Sequence, residues 1–259
     1  MSGACKVNWV EDAATQIGGL PRWWHPVVGC TKISAGCAHC WFLESVGPAL
    51  IRRGQDPVKW SPVAHFNECE MNVPVAEHGP RSQRRAYFVG AYGDIGHENI
   101  TDEQIIRIVE VMRATPRHLY FVLTKRIRRI AEIAHRISWP NNAWLGISAA
   151  DQRAFDIRWG ALEMTPVPHV FWSLEPLVGP IDIRGAVLPD WVIVGGESQA
   201  GARPMETDWV RAIRDKCVTT NTPFYYKQDS AYGKGRVTHK PALDGRVWDE
   251  LPDFRGCVI

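Results

Sequence analysis

The sequence predicts an α/β fold: a partial (β/α) barrel of the TIM type with roughly six to seven β/α units. Three observations predict it. Short apolar runs of strand length alternate with helical stripes between residues 87 and 228, which is the pattern of βαβ units around a parallel sheet. These runs are apolar on both faces, as strands covered from both sides must be. The length, 259 residues, is ordinary for one such barrel and sufficient to bury a core without staples.

Taken in order, the first strand is expected at Val7–Val10 and the first helix from about Trp41 to Arg53. Residues 54–85 carry Pro57, Pro62, Pro74 and Pro80 with little periodicity, and read as an insertion or loop over one barrel rim. Strands are then expected at Tyr87–Asp94, Leu119–Arg126, Trp144–Ser148, Val170–Glu175, Trp191–Glu197 and Phe224–Gln228. Between them, Thr101 and Gln104 have capping-box spacing, and Ile105, Ile108, Val109 and Met112 form one helical stripe that Pro116 ends. Ile127, Ile130, Ala131, Ala134 and Ile137 form a second stripe. A less clearly patterned helix is expected over about Asp151–Met164, and Thr207 opens another with Val210, Ile213 and Cys217 facing inward. One barrel domain is expected to span 1–259, with an extension after about residue 230.

Composition narrows the function classes. The chain is 45% hydrophobic and 22% charged, an ordinary globular balance that excludes a disordered or low-complexity protein. No basic and apolar leader and no apolar run of transmembrane length is visible, so a cytoplasmic location without membrane contact is expected. In that reducing compartment, seven cysteines suggest metal binding or catalysis rather than disulfides. A net charge of +2 excludes a polycation, but basic residues cluster: Arg81, Arg84 and Arg85; Lys125, Arg126, Arg128 and Arg129; and Lys227, Lys234, Arg236, Lys240 and Arg246. Each cluster fits either a solvated face or a phosphate-binding surface. The 12 tryptophans fit a large barrel core or base-stacking platforms.

Cys30, Cys37 and Cys40 are spaced C-x6-C-x2-C, and Gly29, Ser34 and Gly36 make the segment a loop that Trp41 and Phe42 close into a helix. Three thiolates suit an iron–sulfur cluster with one iron left open. They suit equally a tetrahedral zinc site completed by His25 or His39. Spacing leaves both open. Cys5, Cys69, Cys217 and Cys257 are not expected to be ligands; Cys217 fits a buried helix face.

The wider pattern carries a resemblance. "WWHPVVGCTKISAGCAHCW" resembles the start of a phage and prophage three-cysteine family of radical-SAM-like proteins, whose corresponding run reads Trp-Asn-Pro-Val-x-Gly-Cys. "AYGDIGHE" is similar to its Met-Ser-Asp-Leu-Phe-His-Glu segment. "FVLTKR", "WLGIS", "WSLEPLVGPIDI", "VIVGGESQAGARPM" and "FYYKQ" match its later segments in order. The resemblance covers roughly residues 8–230. It implies a [4Fe–4S] cluster on Cys30, Cys37 and Cys40, S-adenosylmethionine on the open iron, and an electron donor. Relatives are associated with phage thymidine hypermodification. The resemblance therefore implies a DNA substrate, an isomerase moving an amino-acid (glycyl-type) substituent on thymidine from a nitrogen to a carbon linkage, and work in the host cytoplasm. The chain departs from the pattern at His25 (Asn), at Tyr92-Gly93 (Met-Ser), at Leu174 (Cys) and at Asp229 (Trp), which points to a different substrate pocket.

In a parallel barrel the strand carboxyl ends line the active face. Asp94, Lys125, Arg126, Ser148, Glu175, Glu197 and Lys227 are expected there, each also readable as a rim ion pair. In many radical-SAM enzymes a Gly-Gly-Glu triplet after the second strand contacts the methionine amino group. Here Gly195, Gly196 and Glu197 follow a late strand, so Asp94 takes that expectation. Ser148 is a candidate for ribose or carboxylate, and the two glycines would let backbone approach a ligand. The cofactor set is thus Asp94, Ser148, Gly195, Gly196 and Glu197. Lys125, Arg126, Glu175, Arg203 and Lys227 are candidates for substrate phosphate, carboxylate or amine. Two other functions fit the sequence: a radical-SAM DNA repair lyase, and a zinc-stabilised nucleic-acid-binding protein without catalysis.

Overall fold

The structure, a computed structural model, describes residues 5–79, 82–199 and 201–259. Seven strands form one sheet: β1 (Leu20–Trp24), β2 (Arg85–Val89), β3 (Leu119–Thr124), β4 (Ala143–Ser148), β5 (His169–Leu174), β6 (Trp191–Gly195) and β7 (Phe224–Gln228). They lie side by side in chain order and every pair is parallel. That is the order of a barrel wound in one direction, left open between β1 and β7.

The first expected strand is a helix. Val7–Val10 lies at the start of α1 (Asn8–Gln16), and β1 is found further on, at Leu20–Trp24. Trp9, Val10, Ala13, Ala14 and Ile17 are buried at helical spacing, a stripe that the short run Val7–Val10 conceals. α1 packs against β1, β2 and β7, so both edges of the curled sheet reach the same helix.

Strand alternation divides the core into two shells. Facing the lumen are Phe121, Trp144, Phe171, Trp191 and Tyr225, packed on Trp9 of α1 and on Phe254 from the carboxyl-terminal tail. Trp9 meets Phe121 and Trp191 edge-on, at 5.1 and 5.6 Å between ring centroids. Gly146 belongs to this layer because a Cβ there would stand 2.4 Å from the Phe171 ring. The outer face, with Tyr120, Val122, Leu145, Trp172 and Val192, packs against helices. Five of the tryptophans (Trp9, Trp24, Trp144, Trp172, Trp191) are fully buried, so indole serves mainly the core.

The covering helices are α3 (Asp102–Ala114), α4 (Ile127–Glu132), α5 (Gln152–Glu163) and α6 (Thr207–Thr219). The Thr101–Gln104 capping box forms as the spacing predicts, with Gln104 N donating to Thr101 Oγ1 and Thr101 N to Gln104 Oε1. The helix expected at Trp41–Arg53 is split into a π turn, Phe42–Val46, and α2 (Gly47–Arg52). Strands also end earlier than the apolar runs suggest. β2 stops at Val89 because Gly90 turns the chain with φ +91°, which leaves Asp94 on a loop.

Residues 54–79 and 82–84 hold little regular structure: His65–Phe66 pairs antiparallel with Val27–Val28, and Val73–Ala76 makes one helical turn. Pro80 and Arg81 lie outside the described residues. Most of the basic clusters are internally paired. Arg85 bonds Glu77, Arg129 bonds Asp102, Lys234 bonds Asp229, Lys240 bonds Asp12 and Arg246 bonds Glu250. Among the described residues no helix is long and apolar enough to cross a membrane.

Candidate active site

The three cysteines occupy the loop that leaves β1 at the carboxyl end of the sheet. Gly29 launches it with φ +84°, in a space where a Cβ would stand 2.3 Å from the Val63 carbonyl oxygen. Gly36 presses the loop onto the ends of β4 and β5, where a Cβ would meet Ala150 at 2.9 Å and Pro176 at 3.4 Å. A 3-10 turn, Ala35–Cys37, then turns toward α2. The result is one pocket of about 100 Å3 whose wall holds Cys30, Cys37 and Cys40 together with Asp94, Lys125 and Ser148.

The donor set fits an iron–sulfur cluster. It is all thiol, and the three residues line one cavity. Among the described residues no group of three His, Cys, Asp or Glu side chains is drawn together closely enough to hold a metal ion. Neither His25 nor His39 is part of the wall. His25 is buried against Tyr92, ring to ring at 3.9 Å, and His39 stands 3.9 Å from Glu44. Burial, aided by the Lys59 charge, holds the His25 imidazole down at about 3, so it is neutral.

Burial and neighbouring charges shift the Cys30 and Cys37 thiols in opposite directions. Arg126 Nη1 lies 3.3 Å from Cys30 Sγ, while its Nη2 donates to Thr31 O at 3.0 Å and Thr31 Oγ1 at 2.6 Å. Burial and the Asp94 carboxylate push the Cys30 thiol up, and Arg126 offsets part of that. At Cys37 burial also opposes ionisation. The Lys125 ammonium, with hydrogen bonds at Ile33 and Ser34, outweighs it and holds the thiol below its ordinary value.

Several expected ligands have other work. Asp94 Oδ1 accepts from Thr124 Oγ1 at 2.6 Å and Gly96 N at 3.0 Å. Its Oδ2 accepts from Lys125 N at 3.0 Å and Arg126 Nη1 at 3.4 Å. Those four bonds use the acceptor capacity of a carboxylate, so Asp94 pins the turn after β3. Glu197 is closed by Arg203, whose backbone N donates at 2.7 Å and whose guanidinium reaches both carboxylate oxygens. Gly195 and Gly196 make room for Glu175 Oε1 and for Ser230 N, which a Cβ would meet at 2.5 and 2.6 Å. Their absent side chains thus serve packing within the chain.

Glu175 and Lys227 form a second group at the barrel mouth. Lys227 Nζ stands 2.8 Å from Glu175 Oε1, at an angle outside hydrogen-bond geometry, so that oxygen keeps no hydrogen bond. Ser173 Oγ donates to Oε2 at 3.1 Å, and Ser148 Oγ donates to the Glu175 carbonyl at 2.9 Å. The structure therefore brings Cys30, Cys37, Cys40, Asp94, Lys125 and Ser148 together. It sets Arg126 on Cys30, groups Glu175 with Lys227 and Gly195, and leaves Gly196, Glu197 and Arg203 on the loop after β6. Sequence reasoning missed Thr31, Thr124 and the stacking of Tyr92 on His25. The last had a signal, since both positions depart from the resembled pattern.

The family described as "Protein of unknown function (DUF5131)" matches residues 14–252. A solved structure of a spore photoproduct lyase point mutant is similar to this chain at 12% sequence identity with a TM-score of 0.48, over 92% of this chain and 71% of that one. None of the curated proteins compared matches the chain.

Proposed function

This chain belongs to the DUF5131 family, and from its residues we propose that it is a radical S-adenosylmethionine enzyme acting on DNA. The carrying observation is that Cys30, Cys37 and Cys40, and no other cysteine, meet in one pocket at the carboxyl ends of a parallel sheet. A cavity wall with three cysteines and no histidine supports a cluster over a single zinc ion.

When bound, a [4Fe–4S] cluster carrying S-adenosylmethionine supplies an adenosyl radical that takes hydrogen from an unactivated C–H bond. The chain supplies the rest. Cys30, Cys37 and Cys40 hold the cluster, and Lys125 and Arg126 balance the negative charge of the thiolates. Ser148 offers hydroxyl lone pairs to a polar group in the pocket. Lys227, held beside Glu175 at the barrel mouth, offers its ammonium to a substrate carboxylate or phosphate. The resemblance of the ordered motifs favours isomerisation of an amino-acid-decorated thymidine from nitrogen to carbon linkage. The base would be flipped out of the duplex at a cost of a few kcal/mol. The whole chain acts as one barrel unit in the cytoplasm, served by an electron donor.

The test is anaerobic purification, reconstitution with iron and sulfide, and assay of iron content and 5′-deoxyadenosine after reduction. About four irons per chain and cleavage that disappears in each of Cys30→Ala, Cys37→Ala and Cys40→Ala are expected. A stoichiometric zinc ion, or a cluster indifferent to these cysteines, overturns the reading. Incubation with modified phage DNA and chromatography of its nucleosides tests the substrate.

A further inference from the structure

The geometry points to two separate clamps on the cysteine loop: Arg126 positions its Cys30 half, and the Glu197–Arg203 pair positions its Cys37 half. The inference rests on the reading of the three cysteines as one ligand set.

The second clamp is built from the strap that follows β6. Arg203 Nη2 donates to Ala35 O at 2.8 Å while the same guanidinium grips Glu197. The Glu197 side chain is 2% exposed, so its charge requires this partner. Gln199 Nε2 adds a bond to His39 O at 2.5 Å. Ala35 and His39 bracket Cys37. The strap is itself fixed to the end of β7: Gln228 Nε2 donates to Gly196 O at 2.8 Å, Ala231 N to Glu197 O at 2.8 Å and Ser230 Oγ to Arg203 O at 2.6 Å. The first clamp comes from the turn after β3, where Arg126 bonds Thr31 and Cys30 and is tied to Asp94. The two clamps thus grip opposite ends of the loop from strands on opposite sides of the sheet's centre. Three ligands to one cluster must keep fixed spacings, and gripping the loop at both ends secures them.

Hydrogen exchange of the full-length chain, followed by mass spectrometry, tests this without reference to the metal. Arg203→Ala should speed exchange in residues 35–39 by about tenfold while leaving 29–32 within twofold. Arg126→Ala should do the reverse. Arg203→Lys, which keeps the charge but cannot fork between Glu197 and Ala35, should fall between wild type and Arg203→Ala. Gln199→Ala should move 35–39 alone. In the reconstituted protein, Arg203→Ala should shift the electron paramagnetic resonance spectrum of the reduced cluster and shorten its lifetime under a chelator. Equal acceleration of both segments, or no change in either, overturns the inference. So does general loosening of β3 and β4 in the mild Lys and Gln199 variants. If the exchange pattern holds but the wild-type chain takes up no iron, the cluster reading fails and the clamps stand.

Discussion

The rings of His25 and Tyr92 lie face to face, 3.9 Å between centroids and 6° between planes. Both residues stand where the resembled pattern has something else, Asn and Met, and the structure places the two departures in contact. Tyr92 also stacks on Phe42 at 5.1 Å, so the rings run from the end of β1 to the turn after Cys40. The pair is expected to be energetically coupled. His25→Asn and Tyr92→Met should each cost about 1–2 kcal/mol in urea unfolding. The double variant should recover a coupling of about 0.5–1.5 kcal/mol; additive losses would mean the rings are independent.

Acid should unfold this chain early. Burial holds His25 at about 3 and His118 at about 4, helped by the charges of Lys59 and His78 respectively. Both are neutral in the fold, whereas the unfolded chain's imidazoles take protons below about 6.5. The unfolded state then binds more protons, so stability is complete above that value and falls as pH drops toward the folded values. The slope approaches about 1.4 kcal/mol per pH unit for each histidine. Urea midpoints at pH 7 and pH 4.5 measure it, and His118→Asn, which keeps an acceptor for Arg85 N, should flatten the dependence.

Lys227→Met should cost about 2–4 kcal/mol, because it strips the cation from a carboxylate that is 13% exposed. Adding Glu175→Gln should return most of the loss. If Lys227→Met leaves the midpoint unchanged, solvent screens the pair and Glu175 does not depend on it.

Trp9 and Trp41 separate core from surface. Trp9→Ala empties the space among Phe88, Phe121, Phe171 and Trp191 and should cost about 3–5 kcal/mol. Trp41 is 45% exposed, and Trp41→Ala should stay within about 1 kcal/mol of wild type. Guanidinium unfolding followed by circular dichroism distinguishes them.

Periodicity and capping made much of this fold legible. Thr101–Gln104 announced α3, Phe224–Gln228 was bounded at both ends, and the β-α alternation gave the parallel sheet. The start was not legible. Val7–Val10 is too short to separate strand from helix by period, and β1 carries Pro21 and an exposed Leu20, as edge strands do. In the site, the cysteine loop and its pocket partners Lys125 and Ser148 could be read from strand ends. For Asp94 and Glu197 the sequence leaves ligand and rim ion pair open, because it shows a charge without its partner. Thr124 and Arg203 close them only once the chain has folded.

Asn8 Nδ2 donates to the Lys227 carbonyl, 219 positions away. The helix that precedes the sheet in sequence is thus seated in part by the sheet's final strand, β7. At about 5–20 residues per second, a ribosome takes roughly 10–40 s to deliver that strand. Throughout that interval the Trp9 face of α1 lacks part of its cover. The sheet and α1 close on each other only after β7 has emerged, which makes this a slow folder for its length.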